Sequence, residues 1–270
     1  MVNGKVENST SFSFQEIKSH PPRCILPINI AHIHPTEKDS ILFFDWINRT
    51  EIQYFHALGI SKIDVFLWNT FKESSKYLLI DKRIRVHTFD SNDSINYGFN
   101  LLNQVYRIPD ICTESTIKYD FFFIGADKGR YKALDYLSGM LRKKGYTVKC
   151  IVVNPDKKCM GSDNLELTDY YIPYVDVLKY IAQSHVLIDF GKIGQVGLTL
   201  RIMEGLFFNK KVLTNNQSIK NYSFYRPNRF FVYEGPNLLG IDDWTKTPMS
   251  EYNELEVLPY DIKNWIRTFL

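Results

Sequence analysis

Asp189-Phe190-Gly191-Lys192-Ile193-Gly194-Gln195-Val196-Gly197-Leu198-Thr199-Leu200-Arg201-Ile202-Met203-Glu204-Gly205-Leu206 is the stretch on which the reading of this chain turns. The apolar run at 185–190 reads as a buried strand, the glycine-spaced segment as a turn, and 196–208 as a helix. Val196, Leu200, Met203 and Phe207 recur at helical spacing as one apolar stripe, while Gly197, Arg201 and Glu204 share another face. A strand that passes through glycines into a helix N-terminus suits an anion, because the backbone can come close and the first N–H groups point outward. Arg201 offers a planar fork to a phosphate, and Glu204 can accept hydrogen bonds from both hydroxyls of a ribose. The plain alternative is an exposed Arg/Glu pair at i,i+3 worth about 0.2–0.5 kcal/mol. Spacing alone leaves these two readings level.

The same alternation of strand, loop and helix extends over 119–233. Phe121-Phe122-Phe123-Ile124 is a continuous apolar run, as expected of a strand buried on both faces. The turn Gly125-Ala126-Asp127-Lys128-Gly129-Arg130 follows. Lys128 and Arg130 make it a second phosphate candidate, against the plainer reading of a solvated turn in which Asp127 helps cap the next helix. Helical periodicity covers 131–144 (Leu134, Leu137, Leu141), with Gly145 at its end. Then come a strand at 148–153, a polar loop at 154–168, a helix at 175–184, and strands at 211–214 and 229–233. This order predicts crossover connections, a parallel sheet, and a ligand outside the carboxyl ends of the strands. Both glycine-bearing turns then belong to one sheet edge.

The first part of the chain is α/β as well. Strands are expected at 39–44, 62–67 and 84–88, and helices at 50–58 and 95–106, the latter capped by Asp90 or Ser91. Pro109-Asp110 breaks the chain, 112–116 is a polar linker, and the tail from Tyr260 reads as a short helix. The expected organisation is a flexible lead-in at 1–22, a reduced α/β domain at 23–115, a Rossmann-like domain at 116–259 and a terminal helix at 260–270.

Bulk properties exclude several classes. At 270 residues and 44% hydrophobic, the chain can bury a sizeable core, which argues against a disordered or fibrous protein. A net charge of only +3 gives no case for a nucleic-acid partner. Cys24, Cys112, Cys150 and Cys159 lack CxxC spacing and read as reduced thiols of a cytoplasmic protein, with Cys150 in the core. The polar segment 1–19 has no signal-peptide character, and no apolar run approaches the ~20 residues of a membrane span. His32-Ile33-His34 alternates like a strand and lacks a third metal ligand, and no paired carboxylates stand ready for a divalent ion, so no metal is expected. The clusters Arg142-Lys143-Lys144, Lys157-Lys158 and Lys210-Lys211 read as solvated faces, with contact to anionic lipid headgroups as the rival reading.

The runs Gln195-Val196-Gly197-Leu198-Thr199-Leu200-Arg201-Ile202-Met203-Glu204, Lys210-Lys211-Val212-Leu213-Thr214-Asn215-Asn216 and Ile219-Lys220-Asn221-Tyr222-Ser223-Phe224-Tyr225 resemble bacterial GT-B glycosyltransferases of lipopolysaccharide and capsule assembly. Trp68-Asn69, His87-Thr88-Phe89-Asp90 with Asp93 and Tyr97, and the segment 119–130 fit the same pattern. The resemblance covers roughly residues 39–233 and is most specific in the C-terminal half. It implies a GT-B-like α/β fold with two Rossmann-like domains and parallel sheets, the N-terminal one reduced. It also implies a metal-independent hexosyltransferase without a cofactor. The donor would be a UDP- or GDP-linked sugar and the acceptor a glycan or lipid-linked glycan, which suits peripheral contact with the inner membrane face. By the same resemblance, Glu204 would bind the ribose. Gln195, Gly197, Thr199 and Arg201 would lie beside the donor phosphates and sugar, Gly125, Lys128 and Arg130 near the diphosphate, and Tyr174 against the base.

This chain departs from the family's pattern in its short first domain and in Val196, which stands where many retaining members carry a second glutamate. An inverting enzyme needs a base for the acceptor hydroxyl. His32, His34, Asp45, Asp90 and Asp93 are the choices. Asp45, at the end of the strand Ile41-Leu42-Phe43-Phe44, is taken first, and Asp90 and Asp93 read as helix-capping residues. Two rivals stand beside the enzyme. One is a non-catalytic nucleotide or nucleotide-sugar binding module with a degenerate acceptor cleft. The other, a dinucleotide enzyme, ranks last, because the glycines run GxxGxxG and no acidic residue ends the strand 211–214.

Overall fold

The computed structural model describes residues 37–45, 47, 49–107, 116–154, 161–191 and 196–269. The expected lead-in, His32, His34, Cys24, Cys112, Cys159, the break at Pro109-Asp110, Lys157, Lys158 and Gln195 lie outside them. The chain divides into two compact units, one running to Asn103 and resuming at Lys263, the other Gln104–Ile262. The expected divisions at 115/116 and 259/260 differ from these. Gln104 and Tyr106 already bond within the second unit, Gln104 Nε2 to the Leu198 carbonyl at 3.3 Å and Tyr106 N–H to the Tyr260 carbonyl at 2.8 Å.

In the first unit, β1 (Ser40–Phe44), β2 (Lys62–Leu67), β3 (Ile84–Thr88) and β4 (Asn100–Leu101) pair in that order, all parallel. The first three fall within one residue of expectation. Alternation along β2 sends Ile63, Val65 and Leu67 into a core with Ile52 and Phe55 of α1 (Arg49–Ala57). Phe66 meets Trp265 edge-on at 4.8 Å, and the Trp265 indole N–H donates to the Asn103 carbonyl at 2.9 Å. Asp64 is fully buried, 2.6 Å from both Arg85 Nη2 and His87 Nε2. Burial pushes its pKa up, but the bonds from His87 and Arg85 outweigh burial and hold it below the usual carboxylate value.

The helix expected at 95–106 is instead α2 (Ser91–Tyr97). Asp90 caps it, accepting from the N–H groups of Asn92 and Asp93, and Gly98 ends it at φ 70°. The strong N-cap sets the start earlier, and the left-handed glycine turns the chain out into β4 before the apolar periodicity runs out. The tail is likewise broken. A 3-10 turn at Leu258–Tyr260, a helix at Ile262–Trp265 and a second 3-10 turn at Ile266–Phe269 replace one terminal helix.

The second unit holds β5 (Tyr119–Ala126), β6 (Val148–Val153), β7 (Glu166–Thr168), β8 (Ser184–Asp189), β9 (Lys211–Thr214) and β10 (Phe230–Val232). They lie in the order β10-β9-β8-β5-β6-β7, all parallel. Numbered along the unit, this is 6-5-4-1-2-3, the doubly wound order whose winding reverses between β5 and β8. The phenylalanine run explains how both faces are filled. Phe121 and Phe123 pack with Leu134, Leu137 and Leu141 of α3 (Tyr131–Lys143), while Phe122 packs with Val177, Leu178 and Ile181 of α4 (Tyr174–Ala182). Two parallel α/β sheets agree with the expected GT-B-like class. Among the described residues no helix is long and apolar enough to cross a membrane.

The helix α5 begins at Leu200, not at 196, and ends at Phe207. Thr199 is its N-cap, with an extended backbone (φ −85°, ψ 164°) and a hydroxyl that accepts from Ile202 N–H. Val196 and Gly197 therefore belong to the preceding loop rather than to the helical faces drawn from sequence. Ile202, Met203 and Leu206 pack with Val212 of β9. At Gly205 a Cβ would lie 2.3 Å from Val212 Cγ2. Alanine ordinarily gains about 1 kcal/mol over glycine inside a helix, but here overpacking against a stiff β-branched side chain outweighs that gain. Gly205→Ala is expected to lower unfolding stability by about 1–3 kcal/mol in urea denaturation; a more stable variant would contradict this packing.

Candidate functional site

The carboxyl ends of β5 and β8, where the winding reverses, are where a doubly wound sheet opens a crevice. After β5 the chain turns within 127–130. Lys128 and Gly129 both have positive φ, 47° and 81°, and Arg130 N–H bonds the Asp127 carbonyl at 3.0 Å. Two left-handed central residues closed by such a bond make a tight turn in which glycine is strain-free and lysine is not. Asp127 accepts from Tyr131 N–H at 2.7 Å at the start of α3. Lys128 is exposed at the tip.

After β8 the loop leads to the α5 N-terminus, and one buried carboxylate organises it. Asp189 is 3% exposed and accepts from two threonine hydroxyls, Thr199 at 2.7 Å and Thr214 at 2.7 Å. The Thr214 hydroxyl also accepts from Asn216 N–H at 3.0 Å. The Asn216 side chain reaches the Val196 carbonyl at 3.2 Å, Ser218 donates to the same carbonyl at 2.7 Å, and Asn215 accepts from Gly191 N–H at 2.8 Å. The ends of β8 and β9 and the start of α5 are thereby tied together. Burial raises the Asp189 pKa; the two threonine bonds and the charges of Arg130 and Arg201 oppose it without cancelling it.

Both arginines expected at the phosphates lie here, already bonded. Arg130 donates through Nε and Nη2 to the Ala126 carbonyl (3.1 and 3.0 Å) and through Nη1 to the Phe190 carbonyl, so it links the ends of β5 and β8. Burial lowers its pKa from the ordinary arginine value, and its guanidinium stays charged. It covers Gly125, where a Cβ would come within 2.7 Å of Nη2. Arg201 donates to the Ile124 carbonyl at 3.2 Å and lies over the Phe122 ring at 5.3 Å from its centroid.

Glu204 and Tyr174 are brought together, the carboxylate buried and the tyrosine half-buried. Glu204 is 1% exposed. Its Oε1 accepts from the Tyr174 hydroxyl at 2.8 Å. Its Oε2 forms an ion pair with Arg201 Nη1 at 2.5 Å, without the alignment of a hydrogen bond. The Tyr174 hydroxyl lies 2.6 Å from that of Tyr106, which is 3% exposed. Since the Tyr174 proton points to Glu204, Tyr106 donates to Tyr174. Burial, then the Glu204 charge, pushes both tyrosines well above the usual range, so both stay protonated.

Asp45, the expected base, stands in the first unit at φ 65°. Its Oδ1 accepts from the N–H groups of Trp68 (2.6 Å) and Asn69 (2.9 Å), and its Oδ2 from the Asn69 side chain (2.7 Å). Asp90 caps α2, and Asp93 accepts from Phe71 N–H at 2.6 Å. Asp189, Asn216 and Tyr106 carried no expected role. An aspartate closing an apolar strand and an asparagine pair after the next strand were the only signals for the first two. Tyr106, remote in sequence, left none.

No protein-family model and no curated protein matches the sequence. Among solved structures, the chain is similar to a glycotransferase of kitacinnamycin, at 11% identity and TM-score 0.38, over 71% of this chain and 60% of that one. It is similar to a glycosylation-associated protein complex (Gap123) from Streptococcus agalactiae, at 13% identity and TM-score 0.41, over 89% and 52%. It is also similar to the iron-containing dodecameric glycosyltransferase TibC from enterotoxigenic E. coli, at 13% identity and TM-score 0.31, over 81% and 69%. The chain thus spans less than two thirds of the first two.

The Asp189 geometry fixes a pH dependence. A carboxyl whose pKa is raised in the folded state stabilises fully below its unfolded value, near the ordinary 3.8, and loses that contribution as pH rises through the folded pKa. In urea denaturation from pH 4 to 7, the wild type is expected to lose stability relative to Asp189→Asn as pH rises. Parallel pH profiles for the two proteins would refute the assignment.

Proposed function

We propose that the second unit binds a nucleotide-diphosphate sugar at the reversal point between β5 and β8, and that the protein is a glycosyltransferase. One observation carries this reading: a tight, glycine-bearing turn with an exposed lysine and a threonine-capped helix N-terminus follow the two strands between which the winding reverses. Backbone N–H groups of a turn and of a helix N-terminus, with cationic side chains nearby, recognise a diphosphate. The same groups stabilise the charge that develops on a leaving nucleoside diphosphate, which is chemistry that needs positioning more than covalent participation. In this reading Lys128 meets the diphosphate, and Gly125, Gly197 and Thr199 shape the backbone around it. Arg130 and Arg201 supply positive potential from beneath. The donor is UDP- or GDP-linked, the transferred group a hexosyl unit, and the acceptor a lipopolysaccharide or capsule glycan, free or lipid-linked, the latter suiting peripheral contact with the inner membrane face.

A second reading, a nucleotide-sugar binding module without transfer activity, is favoured by the state of Asp45. Three donors occupy its carboxylate, which leaves about one of roughly four lone-pair positions for an acceptor proton.

Calorimetric titration with UDP, GDP and CMP tests the shared premise. One nucleoside diphosphate is expected to bind, and Lys128→Ala is expected to weaken it by about tenfold to a hundredfold, as loss of one charge-assisted hydrogen bond would. Absence of binding to all three would overturn the donor site. Release of free nucleoside diphosphate from a bound nucleotide sugar then separates the transferase from the module, because only the transferase has a route to break the sugar–phosphate bond.

A further inference from the structure

Glu204, read from sequence as a ribose ligand, has neither oxygen turned to solvent. One oxygen holds the Tyr174 hydroxyl, the other holds Arg201, and the residue is 1% exposed. A ribose diol could reach it only by displacing one of those partners: loss of Arg201 would leave a buried charge unpaired, and loss of Tyr174 would leave a hydroxyl without its acceptor. The hydroxyl of the half-buried Tyr174 is likewise engaged. It lies between Tyr106 and Glu204, and the ring packs with the two apolar clusters on the α4 and α5 side of the sheet.

The network has a direction. Tyr106 donates to Tyr174, Tyr174 donates to Glu204, and Glu204 holds the Arg201 guanidinium. Arg201 in turn crosses to the Ile124 carbonyl near the carboxyl end of β5, beside the reversal point. Its side chain keeps 11% exposure against 1% for Glu204, so a ligand reaches Arg201 more readily than the carboxylate paired with it.

We propose that Glu204 is a positioning residue: it acts on the donor diphosphate through Arg201, with Tyr174 and Tyr106 holding its carboxylate in place, and does not touch the ribose. This rests on the donor-site reading above and deepens it, since it assigns recognition at this point to the diphosphate rather than to the nucleoside.

Inorganic pyrophosphate separates the two roles, because it carries the diphosphate chemistry without a ribose. Its binding, measured by displacement of the nucleoside diphosphate, is compared on wild type, Glu204→Gln, Tyr174→Phe and Arg201→Lys, with folding checked by thermal denaturation. Glu204→Gln is expected to weaken pyrophosphate and nucleoside diphosphate by the same factor, about tenfold, which corresponds to about 1.4 kcal/mol. Tyr174→Phe is expected to weaken both equally and by less. Adding Glu204→Gln to Arg201→Lys should cost little more than Arg201→Lys alone, as for two residues acting in series. Loss of nucleoside diphosphate affinity with pyrophosphate unchanged in Glu204→Gln or, should that variant not fold, in Tyr174→Phe would overturn the proposal in favour of a ribose contact. Unchanged affinity for both ligands in a folded variant would overturn it in favour of a scaffold role. A wild type that binds neither ligand overturns the donor site itself, and this inference with it.

Discussion

The buried carboxylate of Asp189 is the constraint on which the second unit's candidate site depends. It closes β8 and takes one hydroxyl from the cap of α5 and one from the end of β9. A carboxylate this deep is costly unless its lone pairs are met. The two threonines meet two of them, and each passes the bonding on, Thr199 to the first turn of α5 and Thr214 to Asn216. Asn216 and Ser218 then hold the loop that precedes the helix. The position of the α5 N-terminus is therefore fixed by polar bonding from the strand ends as well as by apolar packing beneath the helix.

The arginines complete this frame. Strand ends leave carbonyls that the ladder no longer satisfies, and Arg130 and Arg201 take those of Ala126, Phe190 and Ile124. Each also lies over a phenylalanine of β5, Arg130 over Phe123 and Arg201 over Phe122. Because β5 alternates its side chains, the two guanidiniums belong to opposite faces of the same strand end. Cations held this way before a ligand arrives lose little side-chain freedom on binding, which is the advantage of a preorganised site.

Most of the strands were legible in the sequence because apolar runs bounded by glycines have few alternatives. Phe121-Phe122-Phe123 could only be a strand covered twice, and it is. The structure departs from the sequence pattern where short-range polar bonding overrides periodicity. Val196 continues the apolar stripe of α5, yet Thr199 is the better cap and the helix starts after it. Ile95 to Tyr106 looked helical, yet Asp90 and Gly98 bracket a shorter one. At the candidate site, the Arg201–Glu204 spacing announced an ion pair but not its burial, because the tyrosine that helps enclose Glu204 lies 30 residues away and the next one 68 residues from that. Asp45 looked like a base at a strand end. Its three donors come from the end of the neighbouring strand, and nothing in the local sequence announces them.

The alternating phenylalanines carry a consequence for how this chain can change over time. Phe122 belongs to one packed layer and Phe121 and Phe123 to the other. Inserting or deleting one residue inside β5 would exchange the layers, moving every side chain beyond that point to the wrong face. It would also carry the 127–130 turn out of register with Asp189 and the α5 cap. Substitutions that keep size and apolarity are open to such a strand, whereas changes of length are closed to it. Related chains should therefore vary in length only between the strands, with β5 keeping a constant number of residues before the glycine that lies under Arg130.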